Sequence, residues 1–236
     1  GVVHQHYVVG QQLFVSIFLK ERHGSALVVG VGSNIAGGAG AYFYTYILGD
    51  MTLMSGVSLV SMITALVGIF LGPILANRFG KKQIFVMAIV VSILFSALRL
   101  IDVRSMLLIY ISTVAGGVAG GCIAPLTTSI QADNTTYVQY KTGKRAEAAI
   151  ASLTSFITKV AQGLGGAIPG YVLAATGFVT GSVAQPESIN TGIILCVLIL
   201  PTILTAAGAI LFGTQYTLDK KAVEEMHTAI AARSNK

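Results

Sequence analysis

From residue 25 onward the chain alternates long apolar runs with short polar breaks. Six runs stand out, at roughly 25–49, 52–76, 83–100, 105–130, 146–177 and 190–215. Crossing a hydrocarbon core of ~30 Å takes ~20 residues at 1.5 Å per residue, which every run reaches, the third only marginally. The pattern therefore predicts an all-α, polytopic membrane protein with six transmembrane helices spanning residues 25–215. Residues 1–24 are too polar for a span. Leu13, Phe14, Ile17 and Phe18 fall on one helical face there, which predicts an interfacial amphipathic segment. Residues 216–236 hold Asp219, Lys220, Lys221, Glu224, Glu225 and Arg233 and read as a solvated cytoplasmic tail helix. The stretch from Ala132 to Glu147 reads as a polar loop between the fourth and fifth runs.

Composition and charge sharpen this picture. The 236 residues are 54% hydrophobic and only 10% charged, against roughly 25% charged in an ordinary soluble domain. The net charge of +6 comes from cations at the ends of apolar runs, a topology signal that argues against nucleic acid as a partner. With six spans, one side of the membrane receives Lys20, Arg22, Arg78, Lys81, Lys82, Lys141, Lys144, Arg145, Lys220, Lys221, Arg233 and Lys236. The other side receives Arg99 and Arg104. The crowded side is expected to be cytoplasmic, with both termini on it. Cys122 and Cys196 lie in apolar runs and read as buried hydrophobes, with no disulfide implied.

The remaining cation is Lys159, inside the fifth run. An ammonium in lipid is costly and marks function by default. Counted from Glu147 it lies ~18 Å along the helix, which predicts a midplane position. Ser152, Ser155, Lys159, Gln162 and Gly166 recur at helical spacing, a polar stripe expected to face a bundle interior or a water-filled cavity. All nine carboxylates lie in loops, tails or span ends, so the chain offers Lys159 no midplane counter-charge. That absence, with Gly1 in place of a Met, suggests half of a larger assembly. Gly116 with Gly120, Gly117 with Gly121 and Gly166 with Gly170 form small-xxx-small pairs, expected at close helix contacts or sliding surfaces. Pro73, Pro125, Pro169 and Pro201 lie within runs, tolerable in a membrane bundle through local kinks.

Two motifs carry a resemblance. Asn77-Arg78-Phe79-Gly80-Lys81-Lys82 is similar to the major facilitator signature D-R-x-G-R/K-R/K, with Asn77 where Asp is usual. Ala132-Asp133, Tyr137, Tyr140-Lys141-Thr142-Gly143, Arg145, Glu147, then Lys159 and Gly163 resemble the glycoside–pentoside–hexuronide:cation symporter family, to which the melibiose permease belongs. Tyr42 to Asp50 is similar to the first helix of that family's second half. The resemblance implies one half of a major facilitator fold, equivalent to helices seven to twelve. It also implies a multi-pass protein of the cell membrane that moves a small sugar with Na⁺ or H⁺. No bound cofactor is expected, and the co-transported cation's site is expected in an absent N-terminal six-helix half. Besides membrane lipid and the sugar, that half is the implied partner.

On this reading Lys159 couples or orients substrate. Thr154 and Ser155 match cavity positions, Gln162 joins them on the helix, and Asn34 and Tyr42 of the first run are further cavity candidates. Asn77, Arg78, Gly80, Lys81, Asp133, Tyr137, Tyr140, Lys141, Arg145 and Glu147 would form the cytoplasmic gate. There are departures. Thr136 and Gln139 stand where the pattern often has acids, and the chain has no tryptophan for the family's sugar-stacking position near Ala124, so the particular sugar does not carry over. His4-x-His6 lacks further ligands for a metal, and no nucleophile–base or phosphate-loop arrangement suggests an enzyme. The rival reading is a non-transporting half-transporter acting as a membrane interaction or regulatory module. A homodimer would set two Lys159 ammoniums against each other in one cavity.

Overall fold

The computed structural model describes residues 23–142, 147–180, 185–215, 224–226, 228–230 and 232. Helix α1 (His23–Tyr42) runs on through a π-helical turn, Phe43–Ile47. Then come α2 (Leu53–Phe79), α3 (Lys81–Leu98), α4 (Met106–Thr142) and α5 (Glu147–Ala175). Finally α6 (Ser188–Ile194), a second π turn (Leu195–Ile199) and α7 (Leu200–Gln215) make one continuous sixth span. Five of the six spans are long and apolar enough to cross a membrane. The other, α5, has the length, at 29 residues, but carries the polar stripe. Large apolar side chains on α2 and α3, among them Phe70, Ile74, Met87 and Leu94, are exposed, as expected of surfaces whose solvent is lipid. The predicted amphipathic segment at 1–24 and most of the tail lie outside the described residues.

The helices are ordered by backbone-close contacts at glycines. Gly30 meets Ala161, Asn34 meets Gly165 and Gly38 meets Pro169. The numbers rise together, so α1 and α5 run parallel. Gly117 lies against Ser61 and Thr64, Gly121 against Ala65 and Gly68, and Gly72 against Cys122, so α2 and α4 are likewise parallel. Gly32 touches Pro201 and Leu204 while Gly208 touches Ser25 and Val29, which sets α7 antiparallel to α1. Helix α3 closes the outside through Phe85 on Phe212, ring centroids 4.2 Å apart. At one end of the bundle Phe43, Ile47, Val57, Ile109, Leu173, Ile189 and Ile193 form a shared apolar core. At the other, Val138 of α4 packs on Ile150, Leu153 and Ile157 of α5.

Three expectations change. The polar stretch from Ala132 is no loop: α4 continues through it to Thr142. Its apolar partner face, Val138 against α5, sustains the helix beyond the hydrophobic run. The break between α2 and α3 shrinks to Gly80, whose φ of +94° reverses the chain in one residue and suits glycine. Of the small-residue pairs, only Gly117 and Gly121 make close contact. Gly116, Gly120, Gly166 and Gly170 have open space where a side chain would sit, and the α5 glycine that touches α1 is Gly165. The prolines behave as foreseen, with Pro73, Pro125 and Pro169 inside unbroken helices. Pro201 follows directly on a π turn, a common way of absorbing a missing N–H donor.

A side chain added at Gly121 would strike the Ala65 carbonyl oxygen, whereas one at Gly120 would meet nothing. Gly121→Ala should therefore lower stability by about 1–3 kcal/mol through overpacking. Gly120→Ala should be neutral or raise stability by a few tenths of that. Thermal-denaturation midpoints of the two variants in detergent check the contrast.

Candidate functional site

The sequence of α5 divides it lengthwise. Ile150, Leu153, Ile157, Ala161, Gly165, Pro169 and Leu173 are buried, at steps of three and four that keep them on one face. Ser152, Ser155, Lys159, Gln162 and Gly166, the stripe expected to line a cavity, are all exposed on the other. Lys159 Nζ donates to Gln162 Oε1 at 3.4 Å, one turn along. Thr154 stands at the border of the stripe. Its hydroxyl donates to the Ile150 carbonyl at 2.9 Å and accepts from Gln131 Nε2 of α4 at 3.0 Å. Gln131 is thus a member of the site that sequence reasoning missed; it stands between the end of the fourth apolar run and the stretch read as a loop.

Helix register sets the depth of these groups. The Gln131–Thr154 bond and the Gly121–Gly68 contact place Lys159 level with Leu126 of α4 and Pro73 of α2. That is about 10 Å from the middle of α2, toward the end that bears Asp133. The midplane estimate counted along α5 from Glu147; α4 and α5 both extend beyond the end of α2. The α1–α5 register separates the first-span candidates as well. Asn34 meets α5 at Gly165, on its packed face, and its Nδ2 donates back to the Gly30 carbonyl at 2.8 Å. Tyr42 lies level with Leu173, about 21 Å along the axis from Lys159. It stacks on Tyr46, ring centroids 6.3 Å apart, and meets Phe178 edge-on at 5.5 Å. Tyr42 and Lys159 therefore do not share one set of contacts.

At Tyr42's end a second cluster emerges around Arg99, which the sequence reading counted only as a topology charge. The Arg99 guanidinium lies 5.0 Å above the Phe43 ring, a cation–π arrangement. Its Nε is buried with no hydrogen-bond partner among the described residues. In the turn before α2, the Thr52 hydroxyl and N–H donate to Asp50 Oδ1 at 2.6 and 2.8 Å. These bonds hold the Asp50 carboxyl below its ordinary range.

The proposed gate residues gather at the opposite end. Lys81 Nζ and Asp133 Oδ2 are 2.6 Å apart, Asp133 buried and Lys81 partly exposed. This bond ties the first turn of α3 to the polar extension of α4. Asn77 and Arg78 are exposed at the end of α2, with the Arg78 guanidinium 5.5 Å from the Phe79 ring. Tyr137 and Tyr140 are half-buried on α4, and Glu147 is exposed at the start of α5. Arg145 and the Lys141 side chain lie outside the described residues. Because Lys81→Gln strands a buried carboxylate, it should cost more stability than Asp133→Asn, whose lysine can turn to water. A double-mutant cycle on thermal stability should give a coupling of about 1 kcal/mol, reduced by the exposure of Lys81.

Comparison with known proteins agrees with this geometry. Residues 24–220 match the family described as MFS/sugar transport protein. The chain is 30% identical over 197 residues to a protein named "Putative sulfoquinovose importer" of Escherichia coli K12, covering 83% of this chain and 42% of that one. It is 27% identical over 192 residues to the "Putative 2,3-dihydroxypropane-1-sulfonate exporter" of the same organism, covering 81% and 41%. It is 30% identical over 154 residues to the isoprimeverose transporter of Lactiplantibacillus pentosus, covering 63% and 31%. The chain thus spans about two fifths or less of the length of these relatives. With its all-helical bundle of apolar spans, this integral membrane protein belongs to the MFS/sugar transport family of the major facilitator superfamily.

Proposed function

We propose that the chain is the C-terminal six-helix half of a secondary carrier that moves a sugar or sugar-derived solute together with Na⁺ or H⁺ by alternating access. The observation that carries this reading is the exposed polar face of α5. A helix in lipid does not hold out a lysine, a glutamine and serines unless other protein or a water-filled path covers them. Gly163, Gly166 and Gly170 on the same helix, and Gly116 and Gly120 on α4, have nothing beside them, which leaves room for further helices at close range. The length of the relatives supports a preceding half that would supply them, and the family resemblance assigns the cation site to that half.

In this proposal residues 25–215 form the membrane bundle, and the Asp133 end, the 216–236 tail and the N-terminus face the cytoplasm. Lys159 orients the substrate or couples it to the ion, with Ser155, Thr154 and Gln162 as hydrogen-bonding neighbours. Two of the relatives are named for sulfonates, and an ammonium suits such a charge. Lys81 with Asp133 would latch the cytoplasmic gate.

The test uses the complete carrier, reconstituted in vesicles under a Na⁺ or H⁺ gradient. It is offered radiolabelled sulfoquinovose, 2,3-dihydroxypropane-1-sulfonate and isoprimeverose. Wild type should accumulate at least one of them against its gradient. Lys159→Ala should cut uphill accumulation by about tenfold or more, the cost of one charge-assisted contact, and Lys159→Arg should retain part of it. Undiminished coupled uptake by Lys159→Ala would refute the assignment.

A further inference from the structure

Between the Asp133-bearing half of α4, the first turns of α5 and Ile230 of the C-terminal tail lies a cavity of about 690 Å³, within the size range of small-molecule sites. Thr128, Gln131, Thr135 and Gln139 follow one another at helical steps of three and four on one face of α4, with Thr136 beside them. Glu147 of α5 faces them, and among the described lining residues there is no Lys or Arg. Resting on the transport reading above, we propose that this cavity is a second solute site that binds the hydroxyl groups of a sugar or polyol on the exit path, its α5 wall about two to three turns from Lys159.

The chemistry follows from where the protons already go. The Thr135 and Thr136 hydroxyls each donate to the backbone of their own helix, at 3.2 Å to the Gln131 and Ala132 carbonyls. Gln131 Nε2 donates to Thr154. The two threonines therefore turn lone pairs toward a ligand, while the Gln131 and Gln139 amides and the Thr128 hydroxyl can donate as well as accept. Neutral groups that donate and accept suit the hydroxyls of a polyol, which do the same. Among the described lining residues no cation meets an anionic group. A bare metal ion would need several oxygens within about 2.5 Å, and a space this wide does not bring them together. Ala132, Ile150 and Ala151 supply apolar wall for the C–H face of a ring. Thr136 and Gln139, neutral where acids were looked for, thereby acquire a role: uncharged side chains bind a hydroxylated solute weakly enough to release it.

The variant Thr135→Val/Thr136→Val/Gln139→Leu keeps the shape of this wall and removes three of its hydrogen-bonding side chains. The complete carrier, in vesicles of defined sidedness, is given whichever of the three solutes above wild type moves fastest. The KM measured from the cavity's side should rise about tenfold, and the KM from the opposite side should stay within about twofold. Thr135→Ser/Thr136→Ser should restore the wild-type value, which separates lost contacts from misfolding. Unchanged KM on both sides, an equal rise on both, or a change confined to activation by Na⁺ would overturn the proposal. If wild type transports none of the solutes, calorimetric titration of the same three decides. Binding that the triple variant weakens keeps the cavity and refutes the transport reading, and no binding refutes both.

Discussion

The bundle depends on backbone approaching backbone where side chains are absent. In lipid there is no hydrophobic gain in bringing two helices together, so packing and small residues have to do it. Gly117 and Gly121 let α4 lie on α2, and Gly30 and Gly165 let α5 lie on α1. Both contacts join parallel helices, and each sets a register in which a residue on one helix has a known level on the other. The relative levels of the polar groups follow from that register together with the Gln131–Thr154 bond between α4 and α5. Larger residues at these crossings would move the polar face of α5 as well as loosen the packing.

From this frame the polar features fall at three levels. At one end Arg99, Phe43, Tyr42, Tyr46 and Phe178 form an aromatic cluster with one cation. Toward the other, Lys159 and Gln162 project from α5. Below them come the α4–α5 cavity and, level with it, the Lys81–Asp133 bond between α3 and α4.

Much of this was legible in the chain. Six spans, the polar stripe on the Lys159 helix and the turn at Gly80 all follow from apolar periodicity and one glycine. What periodicity does not report is which of two neighbouring glycines faces a helix. Gly120 and Gly121 are equivalent as a pattern, and only the rotation of α4 against α2 chooses between them. Hydropathy likewise located the end of the fourth run near Ile130, because charge and amide density rise there. The helix nevertheless goes on, held by Val138 against Ile150 and Leu153. Ending the run there hid most of the α4 stripe, whose residues from Ala132 on read as loop in sequence and as one face of a helix in space.

The π turn at Phe43–Ile47 has a consequence for how this chain tolerates change in length. A π turn holds an additional residue within an otherwise α-helical span. Each residue advances a helix by about 100°. Removing one residue here would restore regular α-helix with both flanks of the aromatic cluster still in phase, because the slower winding of the π turn already absorbs that residue. A single-residue deletion elsewhere in the first span would swing one flank about 100° from the other, so the π turn marks the place in that span where length can change by one without a change of phase.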